Sequence, residues 1–130
     1  MSYSRVLLPL VVFICSACDG PLAIIPGGAL SGEQHVLSND VIPQSNSVIE
    51  LETRPSNPYS VNVNSTVINQ QLYIDPAPGR TWYKYITNNP NVKVRFEGNP
   101  IVYSTVVEEV IEEKLLKQFE ADRVVLRLSY

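Results

Sequence analysis

Val48-Ile49-Glu50-Leu51-Glu52-Thr53, Arg54-Pro55-Ser56-Asn57-Pro58 and Tyr59-Ser60-Val61-Asn62-Val63 follow one another without a gap. They read as strand, turn and strand. Successive side chains of a strand point to opposite faces, so a half-buried strand alternates apolar and polar residues. Ile49 and Leu51 alternate with Glu50 and Glu52, and Tyr59, Val61 and Val63 alternate with Ser60, Asn62 and Asn64. Each strand thus has one dry face and one wet face, as in an antiparallel sheet packed on one side. Between them, two prolines, a serine and an asparagine make a turn by composition.

The same grammar continues downstream. Asn69-Gln70 marks a turn, Leu72-Tyr73-Ile74 a short strand, and Asp75-Pro76-Ala77-Pro78-Gly79 its end. Val92, Val94 and Phe96 alternate with Lys93, Arg95 and Glu97, and Gly98-Asn99-Pro100 turns the chain into a strand over 101–107. Val124, Leu126 and Leu128 alternate with Val125, Arg127 and Ser129 at the end of the chain. Two stretches have helical spacing instead. Over 80–87, Trp82, Tyr85 and Ile86 share a face before Asn88-Asn89-Pro90 stops the helix. Over 108–121, Ile111, Leu115 and Phe119 recur every four residues, with Glu113 and Lys117 as a supporting pair. No internal repeat is visible. The expected fold is α+β and mainly β, a barrel of about six short antiparallel strands with two short helices over residues 48–130.

Upstream the chain changes character. A short basic start ending in Arg5 precedes the unbroken apolar run 6–14 and then Cys15-Ser16-Ala17-Cys18. A charged head, a short apolar run and small residues describe a secretory signal peptide, here residues 1–17. Such a run is too short to cross ~30 Å of hydrocarbon as a stable span. Ser16-Ala17-Cys18 resembles the lipobox of bacterial lipoproteins, which implies that Cys18 becomes the mature N-terminus and carries palmitate-type acyl chains. Two chains on one residue hold a domain to a bilayer. That reading implies the bacterial cell envelope, facing the periplasm or exterior, with the choice of inner or outer membrane open. Cleaved secretion without acylation, and a Cys15/Cys18 redox pair, use the same residues. The redox pair lacks the βαβ unit that such motifs sit in. Residues 18–47 read as a lipid-anchored linker and N-terminal extension. Gly20, Pro21, Pro26, Gly27, Gly28 and Gly32 argue for an extended tether, while Leu22, Ile24, Ile25 and Leu30 allow part of it to pack on the domain.

Composition removes other classes. With a formal net charge of −3, the chain lacks the basic surface that displaces counterions from phosphates, so nucleic acid is not an expected partner. At 45% hydrophobic residues in periodic patterns, it is not a disordered chain. His35 is the only histidine, with no matched Cys, Asp or Glu set, so neither a metal site nor a catalytic triad is expected. Glu108, Glu109, Glu112 and Glu113 read as a solvated face at a helix N-terminus, where negative charge is favourable. No nucleophile elbow, phosphate loop or dinucleotide fingerprint occurs.

Over 48–110, about half of the chain, the order of motifs resembles the split β-barrel of the pyridoxamine phosphate oxidase-like flavoproteins and the deazaflavin-dependent nitroreductases. The carriers are Leu51-Glu52-Thr53-Arg54, Tyr59-Ser60-Val61, Leu72-Tyr73-Ile74, Trp82-Tyr83-Lys84 and Asn89-Pro90-Asn91-Val92-Lys93-Val94. Gly27-Gly28-Ala29-Leu30-Ser31-Gly32 is similar to a segment before the barrel in an uncharacterised bacterial branch of the family. The resemblance implies that flavin mononucleotide (FMN) or a deazaflavin lies across the barrel. Arg54, Tyr59, Ser60, Arg80, Trp82 and Lys84 are then the cofactor-binding candidates. Guanidinium and ammonium groups pair with phosphate, and an aromatic ring can cover the flavin. It also implies redox chemistry of the nitroreductase or quinone reductase kind, in which the cofactor carries the hydride, and a homodimer, since such sites often close across two chains. The alternative is a non-catalytic lipoprotein whose barrel binds a partner or small ligand. On that alternative Trp82 is a core residue joining helix to sheet, and Arg54 and Arg80 are surface charges.

Overall fold

The computed structural model describes residues 20–130; the signal-peptide and lipobox expectations, including Cys18, lie outside the described residues. The strands are β1 (Gln34–Val36), β2 (Ser47–Thr53), β3 (Tyr59–Ile68), β4 (Gln71–Ile74), β5 (Asn91–Phe96), β6 (Val102–Glu109) and β7 (Leu126–Ser129). The helices are α1 (Thr81–Asn88) and α2 (Glu113–Leu116), and a single 3-10 turn covers Asn39–Val41.

Six strands close into an antiparallel ring in the order β6-β5-β2-β3-β4-β7, with β7 returning to β6. The chain therefore forms the expected mainly-β, α+β split barrel. The ring closes because β6 is long enough to be shared. Its first half pairs with β5, from Arg95↔Val102 to Asn91↔Val106, and its second half pairs with β7, from Val106↔Ser129 to Glu109↔Leu126. β1 runs parallel to the first half of β6 and covers the edge that β7 leaves free. Turn chemistry fixes the registers. Asn69 and Gln70, at φ 50 and 63, supply the two left-handed residues that a tight β3–β4 hairpin requires, and Ile68 pairs with Gln71.

The alternation read in the sequence fills the ring. Ile49 and Leu51, Val63, Leu72 and Ile74, Val92, Val94 and Phe96, Tyr103 and Val107, and Leu126 and Leu128 form one buried cluster. Each such aliphatic side chain contributes about 1.5–3 kcal/mol on burial. Helix α1 adds Trp82 and Ile86, four residues apart on one face, to this cluster. The helix ends where Asn89 N–H bonds to Tyr85 O at 2.9 Å and Pro90 follows.

The second helix departs from expectation. Helical spacing over 108–121 yields only the four residues Glu113–Leu116, with further turns to Phe119. Glu108 and Glu109 instead extend β6. The run Thr105-Val106-Val107 is β-branched, and β7 offers it a row of backbone partners, so strand pairing outcompetes an isolated helix. The acidic cluster is therefore split. Glu112 reaches Arg127 at 3.1 Å across the β6–β7 corner, and Glu113 pairs with Lys117 at 3.5 Å as the spacing predicts. Leu115, Leu116 and Phe119 pack outside the ring on Tyr73, Val110 and Val125, a second small cluster.

Residues 20–37 lie against the barrel, the packing alternative for that stretch. Gly27 and Ser60 exchange backbone hydrogen bonds at 2.9 Å. Leu30 is buried, and its N–H donates to Glu52 Oε1 at 2.7 Å. Arg95 Nη1 donates to Ser31 O at 2.8 Å while its other nitrogens hold Glu50, its cross-strand partner. Val102 N–H bonds to Glu33 O, and Leu37 N–H to Ser104 O. This strap runs from β3 over β2 and β5 to β6. Gly27 is required by contact, because a Cβ there would lie 1.8 Å from Gly20 O.

Candidate functional site

Between the strap, β3 and the loop leading into α1 lies a cleft of about 470 Å³, within the usual range for small-molecule sites. Its walls come from four places. The turn 23–26 of the strap supplies Ile24 and Ile25, and β3 supplies Tyr59, Asn62 and Asn64. The 75–82 segment supplies Asp75, Arg80 and Trp82, and the loop before β7 supplies Arg123.

Three of the six expected binding residues thus line one cleft: Tyr59, Arg80 and Trp82. Trp82 is only 9% exposed, so most of its indole belongs to the core and only an edge faces the cleft. Tyr59 meets Tyr85 edge-on, with ring centroids 5.2 Å apart and planes at 79°. Arg80 is exposed and makes no side-chain hydrogen bond or ion pair among the described residues. Its guanidinium is free to meet an anion.

The other three do not line the cleft. Arg54 sits in the β2–β3 turn at φ 57, a left-handed conformation that L-residues avoid. Its Nε donates to Asn57 O at 2.7 Å, and its guanidinium lies 4.2 Å from the Tyr85 ring centroid and 5.8 Å from that of Tyr59. The charge is spent on aromatic faces. Ser60 is fully buried on β3, its backbone pairs with Gly27, and its Oγ finds no partner among the described residues. Lys84 is exposed on α1, one turn beyond Arg80.

Two charged residues of the cleft have no signal in the sequence. Arg123 donates from Nη1 to Asp75 O at 3.0 Å and pairs through Nε with Glu120 at 3.3 Å. Asp75 and Arg123 are 48 positions apart and meet only because β4 pairs with β7. Burial raises the Asp75 carboxyl above its usual range, Arg123 pulls it back and Glu120 adds to the rise. The cleft therefore carries two guanidiniums and one carboxyl group that burial makes easier to protonate than usual.

A second, wider cleft of about 1010 Å³ lies on the other side of the strap turn, beside Glu50, Arg95 and Phe96, and none of the expected binding residues lines it. Among the described residues no group of three or more His, Cys, Asp or Glu could hold a metal ion, and no helix is long and apolar enough to cross a membrane. Comparison of the chain with protein-family models and with curated proteins finds no match.

Proposed function

We propose that this is a lipid-anchored protein of the bacterial cell envelope, held to a membrane through Cys18, whose split barrel binds a small anionic aromatic molecule in the 470 Å³ cleft. FMN or a deazaflavin is the ligand class suggested by the fold resemblance. One observation carries the reading: the cleft joins an unpartnered guanidinium, Arg80, to the aromatic surfaces of Tyr59 and Trp82. An anionic group would pair with Arg80, with Arg123 as a second, partly occupied cation. A planar ring would lie against Tyr59 and the exposed edge of Trp82. Asn64 supplies an amide for the ring's polar edge, and Asn62, whose Nδ2 holds Ala23 O, supplies its carbonyl oxygen.

A bound flavin would supply hydride chemistry of the nitroreductase or quinone reductase kind. The residues of the chain would only bind, orient and exclude water. The second reading, a non-catalytic lipoprotein that binds a small ligand or partner, is favoured by Arg54. Stacked on Tyr85 and bonded to Asn57, that residue is not available to a phosphate in the same cleft.

Titrating the purified protein with FMN separates the two. Saturable quenching of flavin fluorescence supports the redox reading, and a flat titration removes it. Arg80→Ala should weaken binding roughly tenfold, the worth of one charge-assisted pair. Affinity should also rise as pH is lowered through the raised Asp75 titration, because protonation removes the one negative charge facing the ligand's anion.

A further inference from the structure

Leu22, Ala23, Ile24 and Ile25 form a tight turn closed by two backbone hydrogen bonds, Leu22 N–H to Ile25 O at 3.0 Å and Ile25 N–H to Leu22 O at 2.7 Å. Turn tips usually carry Gly, Asn, Asp or Ser, which supply the backbone freedom and tolerate water. This tip is aliphatic instead. Leu22 is 68% exposed, Ile24 96% and Ile25 62%. The turn is nevertheless firmly seated. Gly20 and Pro21 before it are buried, Asn62 Nδ2 donates to Ala23 O at 2.9 Å, and the Gly27–Ser60 pair follows at once. A fixed aliphatic point aimed at water costs solubility unless something covers it.

The sequence places the candidate acylation site, Cys18, four residues before Leu22. Ile24, Ile25 and the unpartnered Arg80 line the same cleft, so the tip has an exposed, uncommitted guanidinium on the cleft it borders. Apolar residues beside a cation are the pattern of a bilayer interface, where side chains enter the acyl boundary and the charge stays among phosphates. We propose that Leu22, Ile24 and Ile25 insert into the headgroup–acyl boundary of the membrane and fix the orientation of the barrel on it, with the cleft mouth at the level of the phospholipid phosphates. The inference shares the membrane location with the proposed anchor but rests on its own observation, the exposed turn. Acyl chains on Cys18 would hold the protein at the membrane; the turn decides which face looks down.

The test uses the full chain, expressed in a bacterium that processes lipoproteins, purified and reconstituted into phosphatidylethanolamine/phosphatidylglycerol vesicles with and without brominated acyl chains. Ile24→Trp reports on the tip. Val36→Trp is the control, because Val36 is 74% exposed on β1, which lies against β6, three strands from β3 in either direction round the ring. Brominated lipid should quench the added emission at position 24 several-fold more than at position 36, and Leu22→Asp/Ile25→Asp in the Ile24→Trp chain should abolish the difference. Equal quenching at both positions, or protection of position 24 by a second copy of the chain in a dimer without lipid quenching, overturns the inference. The mass of the N-terminal peptide reports acylation separately. An acylated chain with an unquenched tip refutes the inserted turn and leaves the anchor standing. A quenched tip on an unacylated chain refutes the anchor and supports the turn.

Discussion

Two segments cover the outside of the barrel, and they are held by opposite means. The strap, residues 20–37, is stitched down by backbone: Gly27 to Ser60, Leu30 to Glu52, Ser31 to Arg95, Glu33 to Val102 and Leu37 to Ser104. The segment around α2 makes one such backbone link, Val110 N–H to Val125 O, adds the exposed side-chain pair of Glu112 with Arg127, and otherwise relies on Leu115, Leu116 and Phe119 over Tyr73, Val110 and Val125. Backbone stitching is cooperative and depends on close approach, so a single misplaced atom can undo a long stretch. A small apolar cluster gives way in proportion to the area lost. The strap also walls the candidate cleft and presents the aliphatic turn, so the less forgiving attachment belongs to the segment nearer the proposed function.

The sharpest way to break the contrast is Gly27→Val. A Cβ at this position would overlap Gly20 O and stand 2.7 Å from Pro21 N, and both are backbone atoms that cannot swing aside. The strap should lift around residue 27, releasing its pair with Ser60 and the bond from Leu30 to Glu52. The expected loss is about 2–4 kcal/mol, the range for strain combined with unpaired buried polar groups. Hydrogen exchange should show Leu30 and Ser60 amides losing protection while the β5 amides of Val92 and Val94 keep theirs. Unchanged exchange at residue 30 would show that the strap is not held through the Gly27 contact.

Phe119→Ala is the matching change in the other segment. Phe119 is half-buried, with its ring 6.0 Å from that of Tyr73. Truncating it should cost roughly 1–2 kcal/mol, less than half of what a fully buried Phe costs. Denaturant unfolding should show that loss with exchange in the strap unaltered. A larger loss, or one that spreads to residue 30, would show that the two covers are coupled through the barrel.

The same contrast explains what could be read from the chain and what could not. Strands whose partners are near in sequence were legible, since Ile49 and Leu51 or Val92 and Val94 carry their alternation openly and the turns at 54–58 and 69–70 announce themselves. Helix α1 was legible because Trp82 and Ile86 bury one face and Pro90 ends it. The 108–121 stretch misled because Ile111, Leu115 and Phe119 keep helical spacing, while the competing partner for residues 106–109 lies about twenty residues downstream in β7. The strap was legible only as two alternatives, since Gly and Pro serve a flexible tether and a close-fitting backbone equally well. In the cleft, Tyr59, Arg80 and Trp82 were found by motif. Arg123 and Asp75 were not, because the closure of β4 on β7 that joins them leaves no local pattern. Arg54 was identified as a cation, but its identity does not reveal that Tyr85 already takes the charge.

Arg54→Gly gives the smallest expected effect and the cleanest separation of the two arginines. Two terms oppose each other at this position. Glycine adopts φ 57 without the penalty of about 1 kcal/mol that a Cβ meets in the left-handed region. The change also removes the stacking of the guanidinium on Tyr85, worth about 0.5–1 kcal/mol for a partly exposed pair, and the bond from Nε to Asn57 O. The terms nearly cancel, so thermal unfolding should shift little in either direction. FMN affinity should be unchanged as well, because the side chain does not line the cleft, whereas Arg80→Ala should weaken it roughly tenfold. If Arg54→Gly weakened flavin binding as much as Arg80→Ala does, the guanidinium would have to leave Tyr85 when ligand enters. The stack on Tyr85 would then be a resting position of a binding residue rather than a fixed part of the β2–β3 turn.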